Sequence, residues 1–128
     1  MAKKQFTYKG KTIEELKELT AKEFSKIAPS RIRRSIQRGF NDSQQVFLEK
    51  LRAKPEKAVK THCRDMPVLP EMIGKTIKVY NGKQFHEVRV SAEMLGHYIS
   101  EFASSRAKGS HSSPGVGATR SSAHTSVK

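Results

Sequence analysis

The chain has 128 residues, enough for one domain with one modest hydrophobic core. It carries 25 Lys+Arg against 12 Asp+Glu, a formal charge of +13, which attracts polyanions and says nothing about fold. No apolar run approaches the roughly 18 residues of a membrane span, so nucleic acid is a better candidate partner than a membrane.

The opening MAKKQFTYKG lacks the apolar segment of a secretory signal. The lone cysteine, Cys63, cannot form an intramolecular disulfide, which fits a reducing compartment. It reads as a small half-buried apolar residue, with a reactive thiol as the alternative.

Residues 5–11 read as a short extended entry. Thr12 and Glu15 then have capping-box spacing. Ile13, Leu16, Phe24 and Ile27 fall near one helical face, which predicts a single helix over 13–27 that Pro29 stops. In PSRIRRSIQRGF, Ile32, Ile36 and Phe40 form a thin apolar stripe. Arg31, Arg34 and Arg38 share another face, with Arg33 beside them. A short basic helix ending at Gly39 fits this pattern. It is either a solvated surface helix or, since no acid interrupts the arginines, a phosphate-facing one.

A third helix is expected over about 43–53, capped by Asn41, Asp42 or Ser43 and closed before Pro55. AVKTHCR (58–64) alternates as a strand does, with Val59, Thr61 and Cys63 on one side and Lys60, His62 and Arg64 on the other. DMPVLPEMIG reads as a loop with apolar anchors.

TIKVYNGKQFHEVRV (76–90) predicts a hairpin with Asn81-Gly82 as a two-residue turn. In that register Tyr80 faces Lys83, Lys78 faces Phe85 and Ile77 faces His86. One face then carries Ile77, Val79, Val88 and Val90. The other carries Thr76, Lys78, Tyr80, Lys83, Phe85, Glu87 and Arg89. Ser91 is placed to cap a last helix at 92–102, whose stripe is Leu95, Tyr98, Ile99 and Phe102. From Ala103 the chain turns serine- and glycine-rich, carries Arg106, Lys108, Arg120 and Lys128, and contains no acid. That composition cannot build a core of its own. It reads as a flexible tail, idle or ordering on RNA.

The chemistry of an enzyme is missing from these patterns. None of the five histidines has metal-ligand spacing. GKT at 74–76 lacks the preceding glycine of a phosphate-binding loop, Leu69 standing there instead. PGVGATRSS has no strand before it and no helix after it. No catalytic group, metal or cofactor is therefore predicted. What remains is a basic, aromatic-dotted hairpin face, since RNA recognition combines stacking with cations on phosphate. Tyr80 and Phe85 with Lys78, Lys83 and Arg89 supply both, although the two rings could equally pair across the strands to stabilise the hairpin.

Four segments together resemble the universal small-subunit ribosomal protein nineteen family: HCRDM (62–66), PEMIGKTIKVYNGK (70–83), EMLGHYISEF (93–102) and PGVGATRSS (114–122). The family signature is met at Asn81-Gly82-Lys83, Val90, Leu95-Gly96, Ile99-Ser100-Glu101-Phe102 and Ser105-Arg106. Ser100 departs from the glycine more usual there, and the final AHTSVK lacks the aromatic and aliphatic pair common at that end. The helical segment before residue 42 resembles the archaeal and eukaryotic branch.

The resemblance implies an α+β fold: a two-layer core whose three-stranded mixed sheet, one strand plus the Asn-Gly hairpin, packs on helices. Residues 1–40 would be a helical basic extension, 41–103 the rRNA-binding core and 104–128 a basic flexible tail. It implies a monomeric constituent of the small-subunit head that binds small-subunit rRNA and neighbours protein thirteen. The tail would run toward A-site tRNA. RNA contact carries by position onto Arg64, Lys75, Lys78, Lys83, Arg106, Lys108 and Arg120. Two other readings of the residues are a free-standing DNA- or RNA-binding regulator using SRIRRSIQRGF, and an RNA-processing enzyme using His62 or His97. The prolines and the hairpin oppose a helix-turn-helix, and no second catalytic group accompanies either histidine.

Overall fold

The structure, a computed structural model, describes residues 6–106. Its first correction falls on the segment 13–27, which forms two helices, α1 (Ile13–Glu18) and α2 (Ala21–Ile27). The reason is a second capping box. Thr20 Oγ1 accepts from Glu23 N while Glu23 Oε2 accepts from Thr20 N, repeating the Thr12–Glu15 exchange one helix earlier. Thr20 therefore satisfies the free N–H groups of a new helix start. Leu16 and Phe24 would lie about 80° apart around one continuous helix; the break lets both bury completely.

Helix α3 (Ser30–Arg38) follows Pro29 and ends at Gly39, whose φ of 88° lies in the left-handed region. It buries Ile32 and Ile36 and leaves its arginines outside. Helix α4 (Asp42–Ala53) is capped by Asn41, whose Oδ1 accepts from Asp42 N. The Gln44 side chain returns to Asn41 N. Phe47, Leu48 and Leu51 form its inward face.

Strand β1 (Val59–Thr61) runs parallel to β2 (Thr76–Tyr80), which is antiparallel to β3 (Phe85–Arg89), in the order β1-β2-β3. The mixed sheet is thus as expected, but the hairpin register is not. Tyr80 faces Phe85, Lys78 faces Glu87 and Ile77 faces Val88. The loop therefore has four residues, Asn81–Gln84. Asn81 does not take a positive φ; its Oδ1 instead accepts from the N–H groups of Lys83 and Gln84, and only Gly82 in the loop is left-handed. The shift of two residues preserves which side chains share a face. Val59, Ile77, Val79 and Val88 still point inward, into one buried cluster with Leu16, Phe24, Ile32, Phe47 and Leu51.

The helix expected at 92–102 is a second correction. Two short 3-10 helices stand there, Ala92–Met94 and Ile99–Phe102, joined through Gly96 at φ 85°. Between them the chain is held against the 64–68 segment by backbone bonds. Val68 N donates to His97 O, Ile99 N to Met66 O and Ser100 N to Arg64 O. That pairing competes successfully with a continuous helix. Leu95, Tyr98 and Ile99 are still buried. The stretch 66–70 is more than a loop with anchors, since every residue from Met66 to Pro70 is buried.

A Cβ at position 96 would lie 2.7 Å from Tyr8 Oη and 3.5 Å from Pro29 Cγ. Gly96→Ala should therefore lose stability twice, through backbone strain of about 1–2 kcal/mol and through displacement of Tyr8. Urea unfolding of Gly96→Ala with and without Tyr8→Phe separates the two effects. The second substitution should restore part of the loss, and strict additivity would dismiss the Tyr8 contact.

Candidate nucleic-acid interface

The outward face of the sheet gathers residues from all three strands. The parallel register sets Lys60 beside Lys78, and residues two further along, His62 and Tyr80, approach with ring centroids 4.7 Å apart. Phe85 stands opposite Tyr80 at 5.2 Å and edge-on to His62 at 5.2 Å. Lys60 Nζ lies 5.2 Å from the Phe85 ring centroid, within range of a cation–π attraction. Tyr80 Oη donates to Gly82 O, bracing the loop. Arg89 is exposed at the far end of β3. Lys78 pairs with Glu87 at 3.3 Å across the strands, a partly exposed contact worth at most about 1 kcal/mol, which a phosphate can replace.

A second basic surface is the outer side of α3. Arg31, Arg33, Arg34 and Arg38 are all exposed. Arg31 and Arg38 flank a groove of about 540 Å³ that Asn41, Gln44, Asp65 and Tyr98 help to line. The Arg31 guanidinium carbon sits 4.6 Å from the Tyr98 ring centroid, and Tyr98 Oη shares a 2.9 Å hydrogen bond with Ser35 Oγ. Both outer faces follow from the layering. The inner face of the sheet and the apolar stripe of α3 contribute to the same core cluster, so their polar sides face solvent.

The expected RNA residues divide accordingly. Arg31, Arg34, Arg38, Lys83, Arg89 and Arg106 are exposed, and Lys78 and Tyr80 are half-buried on the outer sheet face. Lys83 and Arg106 line a common cleft with His86 and Phe102. Lys108 and Arg120 lie outside the described residues. Arg64 lines the groove beside α3 but its guanidinium is engaged within the fold, as is the Lys75 ammonium. The Arg64 guanidinium donates to the carbonyls of Tyr80 (2.8 Å), Ser100 (3.3 Å) and Ala103 (2.7 Å). Lys75 Nζ donates to Leu51 O near the end of α4. Sequence reasoning missed Lys60 and His62 as members of the sheet surface. Their signal was the alternation of 58–64, read together with a parallel pairing that places the polar side of that strand beside Lys78 and Tyr80.

Near the groove, Glu101 is held below the ordinary carboxylate range. The main cause is its hydrogen bond from Tyr98 N, followed by its contact with the His97 ring and the nearby Arg31 charge. Its Oε2 lies 2.6 Å from His97 Nδ1. Among the described residues no group of three His, Cys, Asp or Glu is placed to hold a metal ion, and no helix is long and apolar enough to cross a membrane.

The chain thus presents two basic outer faces on a small α+β core, the class of surface that attracts a polyanion. The family model described as Ribosomal protein S19 matches residues 34–111, more than half of the chain. The chain belongs to the Ribosomal protein S19 family. Its role is accordingly structural rather than enzymatic: a constituent of the small ribosomal subunit that serves translation and binds rRNA and other ribosomal proteins.

Removing the Arg64 clamp leaves three carbonyls without their charged donor. Arg64→Met should lower unfolding free energy by about 3 kcal/mol. Arg64→Lys should recover less than half of this, because one ammonium cannot span three acceptors. A denaturant midpoint equal to wild type would refute the clamp.

For Glu101 the folded value is depressed, so its contribution is complete above the ordinary carboxylate pKa and disappears as pH falls through the lower folded one. Glu101→Gln should be less stable than wild type at neutral pH, with the gap closing in acid. A gap that widened on acidification would contradict the assignment.

Proposed function

We propose that the chain is built into the head of the small subunit, in the cytoplasm, as a single copy bound to small-subunit rRNA. The exposed arginines of α3 (Arg31, Arg34, Arg38) contact one stretch of backbone. The hairpin face with Lys78, Tyr80, Lys83 and Arg89 contacts another. The tail, with Arg106, Lys108 and Arg120, extends along RNA toward A-site tRNA, and ribosomal protein S13 is the protein neighbour. Arg64 serves the hairpin face by fixing the end of β2, and Lys75 fastens the end of α4. Residues 1–40 are an extension of the archaeal and eukaryotic branch, 41–103 the rRNA-binding core and 104–128 the tail.

One observation carries this reading: the basic residues that do not fasten the fold are collected on solvent-facing surfaces with aromatic rings among them, the pairing that RNA recognition uses. Membership of the family supports the ribosomal setting.

A tagged copy sedimented from lysate through a gradient tests it. Wild type should travel with the small subunit at low and high salt. A variant with Arg31, Arg34 and Arg38 replaced by Ala should come off at high salt, because fewer displaced counterions hold it. Wild type remaining at the top of the gradient in both salts would reject the proposal.

A further inference from the structure

The outer sheet face carries more aromatic surface than the hairpin alone provides. His62 belongs to the chain just after β1, Tyr80 ends β2 and Phe85 begins β3, so three separate segments converge on one spot. Their centroids lie 4.7–5.2 Å apart, at interplanar angles of 48°, 55° and 77°. The rings do not close into a core. His62 is exposed, and Tyr80 and Phe85 are half-buried, so each shows part of its surface to solvent. The inner side of the same strands already supplies the buried cluster through Ile77, Val79 and Val88. Stabilising the hairpin needs only the Tyr80–Phe85 pair, which leaves His62 unexplained. Lys60 and Lys78 stand beside the rings and Arg89 lies at the other end of β3, with Glu87 the one acid among the strand residues of this face.

Cations alone would suit any phosphate backbone. Clustered π surfaces add a demand that a continuous duplex cannot meet, because its bases are stacked inside the helix. We propose that His62, Tyr80 and Phe85 form a stacking platform for unpaired RNA nucleobases, with Lys60 and Lys78 holding the adjoining phosphates and Arg89 one further along the strand. This rests on the RNA-binding reading above and narrows it to single-stranded or looped segments at this face.

The test compares full-length wild type with His62→Ala and Phe85→Leu on a short oligoadenylate and on a blunt RNA duplex. The exposed His62 can be truncated without disturbing the core, so that variant stands even where Phe85→Leu unfolds. Each substitution should weaken oligoadenylate binding about tenfold, the scale of one lost base–aromatic stack. The salt slope should not move, since no phosphate contact is removed, and duplex affinity should change less than about twofold. Equal loss on both RNAs, or no loss on either, overturns the platform and leaves RNA binding intact. Wild type that binds neither RNA overturns the platform together with the reading beneath it.

Discussion

Three main-chain oxygens, on Tyr80, Ser100 and Ala103, converge on the Arg64 guanidinium. They belong to the end of β2 and to the last turn before the chain leaves the core. Of the three, Ser100 O also accepts the closing bond of the short 3-10 helix, from Ala103 N at 3.4 Å. A planar fork of fixed N–H directions suits three acceptors in a way a lysine ammonium does not. Without it the 99–103 segment would lose its tie to the sheet, and the hairpin its outer anchor. The clamp also shows that a basic residue in a basic protein can serve its own fold. Lys75 repeats the lesson on a smaller scale, placing its charge near the carbonyl end of α4, where the helix dipole favours a cation.

A second junction joins the amino-terminal helices to the rest. Tyr98 lends its ring to Arg31, its hydroxyl to Ser35 and its backbone N–H to Glu101. Helices α1 to α3 therefore do not hang from the sheet as a separate arm. Leu16, Phe24 and Ile32 are as deeply buried as the sheet residues they join. The arginine face of α3 is held rigidly as a consequence, which limits the side-chain and backbone entropy lost when it meets a polyanion.

Much of this architecture was legible in the residues. Thr12 with Glu15, Pro29 and Gly39 marked helix boundaries because each acts through the local backbone; the strands and their two faces followed from alternation, and the mixed sheet from the family resemblance. What was misread depended on competition. Thr20 and Glu23 had the same spacing as Thr12 and Glu15, but an apolar stripe running through them concealed the break. Leu95, Tyr98 and Ile99 were correctly assigned to the core, yet their helical spacing was outweighed by backbone pairing with residues about thirty positions away. Of the candidate interface, the outward placement of the α3 arginines and the hairpin lysines was readable from charge and face. The inward turn of Arg64 and Lys75 was not, because the carbonyls they reach come from distant segments. His62 and Lys60 needed the pairing of two strands to be considered at once.

The hairpin illustrates a kind of parity. Its loop is two residues longer than the simplest turn would make it, yet no side chain has changed sides, because an even displacement maps each face of a strand onto itself. The Asn81–Gln84 loop thus has a hidden selection rule. Related chains are free to gain or lose residues there in pairs while the aromatic, cationic surface still looks outward. A single inserted residue accommodated by sliding the register would exchange inside for outside, sending Phe85 and Arg89 toward the core and Val88 toward solvent.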